Sequence, residues 1–378
     1  LLAQALFGNP DILLLDEPTN GLDVATISWL EDFLADYDKI VIVVSHDRHF
    51  LNQVCTQMCD VDFGKIKMYV GNYDFWLQSS RLAAQMRADA NAKKEEKIKE
   101  LNDFIARFSA NASKSKQATS RKKQLEKITL DDIKPSSRKY PFVKFESQRD
   151  LGNDLLRVEN VSKTIDGVKI LDNINFTIRP GEKAAILSRS DLAQTTMMQI
   201  LAGTIKPDTG TVKYGQTVIT SSLPRDLDAN FNNEELSILD WLRQYATKEQ
   251  NDNTFLRGFL GKMLFSGDDI QKQIKVLSGG EKVRCMLSKM MLEQGNTLLL
   301  DDPTNHLDLE SITSLNDALV SFNGSVIFTS HDHEFISTIA DHLVEISDNG
   351  SIDRAETTYD EFLAHEIVQQ QVAKLYEK

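Results

Sequence analysis

The chain repeats itself. LLLDEPTNGLD at 13–23 returns as LLLDDPTNHLD at 298–308, an offset of 285 residues. Ser45-His46-Asp47 returns as Ser330-His331-Asp332 at the same offset, and Tyr73 of GNYDFWL returns as Tyr359 of TTYDEFL at 286. Three matches in one register define a duplicated domain. At this offset Leu1 pairs with Met286, so residues from about 155 to 285 of the second copy have no partner in the first. The expectation is a fragment of a longer tandem protein, and the start Leu1-Leu2-Ala3-Gln4, without an initiator methionine, fits a cut end.

Both copies read as α/β. ILLL (12–15), VIVV (41–44), AAIL (184–187), TLLL (297–300) and SVIF (325–328) are short apolar runs suited to buried parallel strands. Helical patterns at 24–36 and 311–322 separate them, the alternation of a sheet covered by helices.

Charge divides the chain differently. A net charge of −13 and a pI near 5.1 argue, taken whole, against a nucleic-acid binder. Residues 81–140 reverse that, with 16 Lys and Arg against 8 Asp and Glu, which leaves the remainder to carry −21. This segment has one proline and no glycine, and Ile98, Leu101, Ile105 and Phe108 form a helical stripe. Leu125 and Ile128 suggest a second helix, antiparallel to the first, with an apex near 109–117. No acid lies between Asp103 and Glu126, where Arg107, Lys114, Lys116, Arg121, Lys122 and Lys123 gather. A charge run is ordinarily a solvated face; an acid-free apex on an otherwise acidic chain points instead to RNA phosphates.

Two apolar runs end in paired acids, Asp16-Glu17 and Asp301-Asp302. A carboxylate at the C-terminal end of a buried strand can hold Mg²⁺ against nucleotide phosphates, and the next can orient or deprotonate a water. His46 and His331 close the following strands, where an imidazole can bridge a terminal phosphate and the acid. Leu277-Ser278-Gly279-Gly280-Glu281 opens a helical pattern, so that backbone N–H groups and a helix N-terminus can meet an anion.

These motifs resemble the ATP-binding cassette superfamily, with LSGGE as signature, LLLDEP and LLLDDP as Walker B, and SHD as the switch histidine. The DEPTN-x-LD form, the tandem copies, the basic helical linker and the lack of a membrane-spanning run are similar to the ABC-F family, and the linker to the bacterial energy-dependent translational throttle group. The resemblance implies a P-loop NTPase-like α/β fold: half of a first cassette (1–78), a basic helical hairpin (79–146), a second cassette (147–365) and a helical tail (366–378). It implies ATP and Mg²⁺ as cofactors, pairing of the two cassettes, and a cytoplasmic translation factor at rRNA and tRNA near the ribosomal exit site. Ser278, Gly279, Gly280 and Glu281 then contact ATP, Asp16 and Asp301 hold Mg²⁺, and Glu17, His46, Asp302 and His331 are catalytic.

The second copy departs from the family pattern. Its phosphate loop should read G-x-x-G-x-G-K-S/T, but 188–196 reads SRSDLAQTT. Ser188, Asp191, Gln194, Thr195 and Thr196 stand there with none of the glycines; Gln194 replaces lysine, and Asp191 sets a negative charge beside the expected phosphates. Thr195 keeps a hydroxyl for Mg²⁺. Ile165 replaces the adenine-stacking aromatic, Pro224 the glutamine that reads Mg²⁺ and water, and Asp302 is a methylene shorter than the usual Glu. Hydrolysis is therefore expected at the site that joins Asp16, Glu17 and His46 to Ser278–Glu281. Neither ATP site is complete in this chain, since the first-copy phosphate loop and signature are not in it. Two other classes stay open: a transporter's ATPase subunit, against which the basic linker counts, and a non-catalytic binding protein, which 188–196 favours. Three cysteines are too few for a disulfide framework; Cys55 and Cys59, four apart on an expected helix, have no further metal ligands near them.

Overall fold

The structure is a computed structural model that describes residues 2–8, 10–19, 22, 24–62, 64–108, 122, 125, 138–231 and 235–376. It divides into two compact units. One comprises 1–30, 38–49 and 139–378, and the other 31–37 and 50–138.

In the first unit, β1 (Ile12–Asp16) and β2 (Ile40–Val44) form a parallel pair. The strands β3 (Gln57–Asp62) and β4 (Lys65–Val70) belong to the second unit, as an antiparallel hairpin. The second copy supplies β5 (Leu156–Ile165), β6 (Val168–Ile178), β7 (Lys183–Leu187), β8 (Thr209–Tyr214), β9 (Thr220–Leu223), β10 (Thr297–Asp301), β11 (Ser325–Thr329), β12 (His342–Ser347) and β13 (Gly350–Ala355). Strands β5, β6 and β8 make one antiparallel sheet; the other six run in the order β13-β12-β7-β11-β10-β9, parallel except for β13.

The six-stranded sheet sends alternate side chains into two cores. Leu298, Leu300, Val326 and Phe328 join the core with the helices Gly279–Glu293 and Leu309–Ser321. Leu299 and Ile327 join the core of the helix Asp191–Leu201 and the antiparallel sheet. Strands covered on both faces are apolar at every position, which is why these runs are visible in the sequence.

The duplication holds in register. Ile12 pairs with Ile40 as Thr297 pairs with Ser325, and Asp16 pairs with Val44 as Asp301 pairs with Thr329. Burial does not follow. The expectation of a buried β1 is corrected on one face: Leu14 is 69% exposed where its counterpart Leu299 is 1% exposed. The cover over Leu299 comes from residues 155–201, the stretch without a first-copy counterpart.

In the second unit one helix runs 36 residues, Tyr73–Phe108. Leu101 is buried and Ile98 and Ile105 are half-buried, with Lys97 and Lys99 exposed, as the stripe predicts. The apex at 109–117 and most of the second hairpin helix lie outside the described residues, as do Lys114, Lys116, Arg121 and Lys123; Lys122 and Leu125 are helical, the first exposed and the second half-buried, and Arg107 falls within the long helix. Cys55 and Cys59 do not share a helix. Cys55 follows the helix Arg48–Val54 and Cys59 lies on β3, because the chain turns into a strand at Gln57. Among the described residues no helix is long and apolar enough to cross a membrane.

Candidate functional site

Two carboxylates sit in left-handed backbone at the ends of equivalent strands. Glu17 has φ 46° and Asp302 φ 50°. Such angles are uncommon for residues other than glycine. Each is held by the neighbouring strand: the Glu17 amide donates to the Val44 carbonyl (2.8 Å), and the Asp302 amide to the Thr329 hydroxyl (2.9 Å). The kink turns each side chain out of the strand's alternation. A strained acid kept in both copies is the kind of outlier that marks a working site.

The histidines follow by a shared turn. The Asp47 and Asp332 amides donate to Ser45 and Ser330 Oγ, each at 3.1 Å. His46 then lies against Glu17, its amide donating to Oε2 at 3.2 Å and its Nε2 3.6 Å from Oε1. Arg48 donates to the Thr313 hydroxyl at 2.6 Å, tying this turn to the second copy.

The signature enters as the N-terminus of the helix Gly279–Glu293. Ser278 and Glu281 form a capping box, with the Ser278 amide donating to Glu281 Oε2 at 2.9 Å and Lys272 3.2 Å from Oε1. Burial opposes the Glu281 charge, but the Ser278 and Lys272 contacts outweigh it and hold the carboxyl below the usual glutamate range. Glu281 thus shapes the helix start, and Ser278, Gly279 and Gly280 face the open space. A Cβ on Gly279 would lie 3.0 Å from the His306 ring, and one on Gly280 2.7 Å from the His306 carbonyl oxygen. Glycine is needed here because His306, itself at φ 66°, packs directly on the backbone.

These parts meet in one cavity of about 750 Å³. Glu17 and His46 line it from the first copy, and Ser278, Gly279, Gly280, Asp302 and His331 from the second. Among the described residues Glu17 Oε1 is buried there without a hydrogen-bond partner. Asp16 is not part of the lining; it ends β1 exposed, on the face that is bare in this copy. Asp301 is buried instead, and accepts from Thr329 at 2.9 Å; burial pushes its carboxyl up, against the pull of Thr329, Thr195 and Arg225. Among the described residues no group of three His, Cys, Asp or Glu gathers as a metal site.

At 188–196 Arg189, Ser190, Asp191 and Leu192 are exposed, while Ala193, Gln194 and Thr196 are buried. Gln194 is 3% exposed and its amide donates to the Ile186 carbonyl (3.4 Å), so it reaches back along the strand rather than outward as a lysine would. Thr196 is buried. Ser188 Oγ accepts from the Ser190 amide, and Asp191 pairs with Arg225 and His331. Burial pushes the Asp302 carboxyl up, opposed by His331 and Arg225.

Sequence reasoning missed Arg225, Arg284 and His306, all in the cavity wall. Arg225 stands beside Pro224, where the resemblance puts the family glutamine, and His306 stands where the first copy has Gly21. A non-glycine at the glycine position of a repeat is the signal available for His306.

Residues 171–305 match the ABC transporter family, and residues 59–145 match a second ABC transporter family that covers an extension segment. The chain is 59% identical over its whole length to the uncharacterized ABC transporter ATP-binding protein YkpA of Bacillus subtilis (strain 168), covering 69% of that protein. It is 47% identical over 93% of its length to the probable ATP-binding protein YbiT of Escherichia coli O157:H7, covering 66% of it. It is 33% identical over 94% of its length to ABC transporter F family member 2 of Arabidopsis thaliana, covering 52% of it. The chain therefore spans about half to two thirds of the length of these relatives, and it belongs to the ABC-F family of ATP-binding cassette proteins.

Proposed function

We propose that the protein is an ATPase whose working site is the composite cavity, where Glu17 and His46 of one copy face Ser278, Gly279 and Gly280 of the other. That juxtaposition is the observation that carries the assignment. The residues fit a nucleotide phosphate: the buried Glu17 Oε1 has His46 Nε2 3.6 Å away but no hydrogen bond among the described residues, the signature helix presents its N-terminus, and the two glycines leave no side chain in the way. ATP bound there supplies a γ-phosphoryl group open to attack by water. Glu17 is placed to take the proton of that water, and His46, beside it, to orient it and neutralise charge. Asp16, to which the resemblance gives Mg²⁺, does not line this cavity, so no step there is assigned to it. Gly280→Ala pushes a methyl group to 2.7 Å from the His306 carbonyl. In the full gene product this substitution should lower phosphate release from ATP about tenfold or more, since displacement near a reacting centre by about 1 Å costs up to a hundredfold. Turnover equal to wild type would remove the signature from the site.

The ribosome is the proposed partner, reached through the acid-free segment between Asp103 and Glu126. Its support is the local excess of Lys and Arg on an acidic chain, together with family membership. Replacing Lys114, Lys116, Arg121 and Lys122 by Glu should abolish co-sedimentation of the full gene product with ribosomes, most clearly at low salt. Unchanged co-sedimentation would make the segment a spacer.

A further inference from the structure

We propose that the phosphate loop of the second copy is filled from within: Asp191 takes the place of a bound phosphate, and Tyr376 closes the loop's amides, so this site is a nucleotide-independent clamp. It deepens the composite-site assignment above by saying what the other site does, and rests on it only for the comparison arm of its test.

The groups that read a phosphate in such a site are cations and amides, and here both are already engaged. Asp191 Oδ2 accepts from Arg225 Nη2 at 2.8 Å, and Oδ1 lies 3.2 Å from His331 Nε2. The same Arg225 nitrogen is 3.6 Å from Asp302 Oδ2. One carboxylate thus holds by a hydrogen bond an arginine that also reaches the paired acids, and lies within ion-pair distance of the histidine expected to sense the γ-phosphate, whose Nε2 makes no hydrogen bond among the described residues. Arg225 and His331 both line the composite cavity, so Asp191 is a positioning residue for its wall.

The amides are engaged in the same way. The Arg189 N–H donates to the Tyr376 hydroxyl at 3.0 Å, the Ser190 N–H to Ser188 Oγ at 3.2 Å, and the Ala193 N–H to Ser190 Oγ at 3.3 Å. In a phosphate loop such N–H groups point at the anion. Here Ser190 caps the helix Asp191–Leu201 with its own side chain. Tyr376, at the end of the helix Glu366–Leu375, is fixed in turn: its hydroxyl donates to the buried Glu345, and the Arg189 guanidinium stacks 4.3 Å over its ring. The fold holds the loop shut by contacts that begin in the loop and end in the terminal helix, with an arginine-paired carboxylate where the charge of a nucleotide would sit.

The test is amide hydrogen exchange on the full gene product, with and without Mg-ATP, in the Glu17→Gln background to slow turnover. ATP should leave 188–196 unchanged while protecting 278–284. Without nucleotide, Asp191→Asn should speed exchange at 189–194, and Tyr376→Phe at Arg189 and across 366–376, each about tenfold. Protection of 188–196 by ATP overturns the clamp, as does exchange in both variants equal to wild type. Loss of protection at 278–284 alone counts against the composite site and leaves the clamp standing. If a variant fails to fold, the response of the wild-type loop to ATP still upholds or overturns the clamp.

Discussion

Replacing Glu17 by Gln should cut ATP turnover of the full gene product about a hundredfold or more, while Asp302→Asn should change it little. The two residues are equivalents in the repeat, with the same left-handed backbone. Their surroundings differ. Glu17 faces the cavity with Oε1 not hydrogen-bonded among the described residues and His46 Nε2 3.6 Å from it. Asp302 is one methylene shorter and lies by an arginine that Asp191 already holds. General-base catalysis is worth about 10²–10⁴ in rate, or roughly 2.7 kcal/mol or more of barrier. Phosphate release under saturating ATP would separate the two. Nucleotide binding should survive Glu17→Gln, because glutamine keeps the size of the side chain and removes only its basicity. Equal losses in both variants would show that the sites work as a pair; a larger loss in Asp302→Asn would reverse the assignment.

What is legible in the sequence is what repeats or is periodic. All five apolar runs become strands, β1, β2, β7, β10 and β11; β7, β10 and β11 are covered on both faces, which leaves no polar positions in their sequence, whereas β1 and β2, expected buried, expose Ile12, Leu14, Ile40, Ile42 and Val44. The paired acids and the histidines are legible from the offset of 285 alone. The coverage of those strands is not. Leu14 and Leu299 are the same letter in the same motif, yet one is bare and one buried, since burial is set by elements elsewhere in the chain. Long-range polar contacts are equally silent. Asp191 reads locally as a repulsive charge in a damaged loop, but its partner Arg225 stands 34 residues away, and Tyr376 reaches Arg189 across 187. No local pattern carries such pairings. Glu281 shows the reverse case: a residue counted with a motif for its position serves that motif by capping the helix.

Removing the His342 side chain should destabilise the second copy by about 3 kcal/mol near pH 6.5. The ring is fully buried on β12, with Nδ1 donating to Glu182 (2.9 Å) and Nε2 to Asp353. His342→Ala leaves both carboxylates facing a hole. Breaking a buried pair costs about 3–5 kcal/mol, and the lower figure applies because Asp353 is about a third exposed. Burial works against the imidazolium, but hydrogen bonds and attraction from Asp353 and Glu182 outweigh it and raise the pKa above 6.5. The sign follows. The folded state holds this proton more tightly than the unfolded chain, so its stabilisation is complete below about pH 6.5 and disappears as pH rises through the folded value. Glu345 acts in the same direction lower down: burial pushes it up to about 7, so stability falls between the ordinary glutamate value and about pH 7 and is level above it. Comparing denaturant midpoints of wild type and His342→Gln between pH 7 and 8.5 therefore isolates the histidine in their difference. Wild type should lose more stability across that interval than His342→Gln. Parallel curves would mean that the ring is held neutral, with one of the two flanking carboxyls protonated and donating to it.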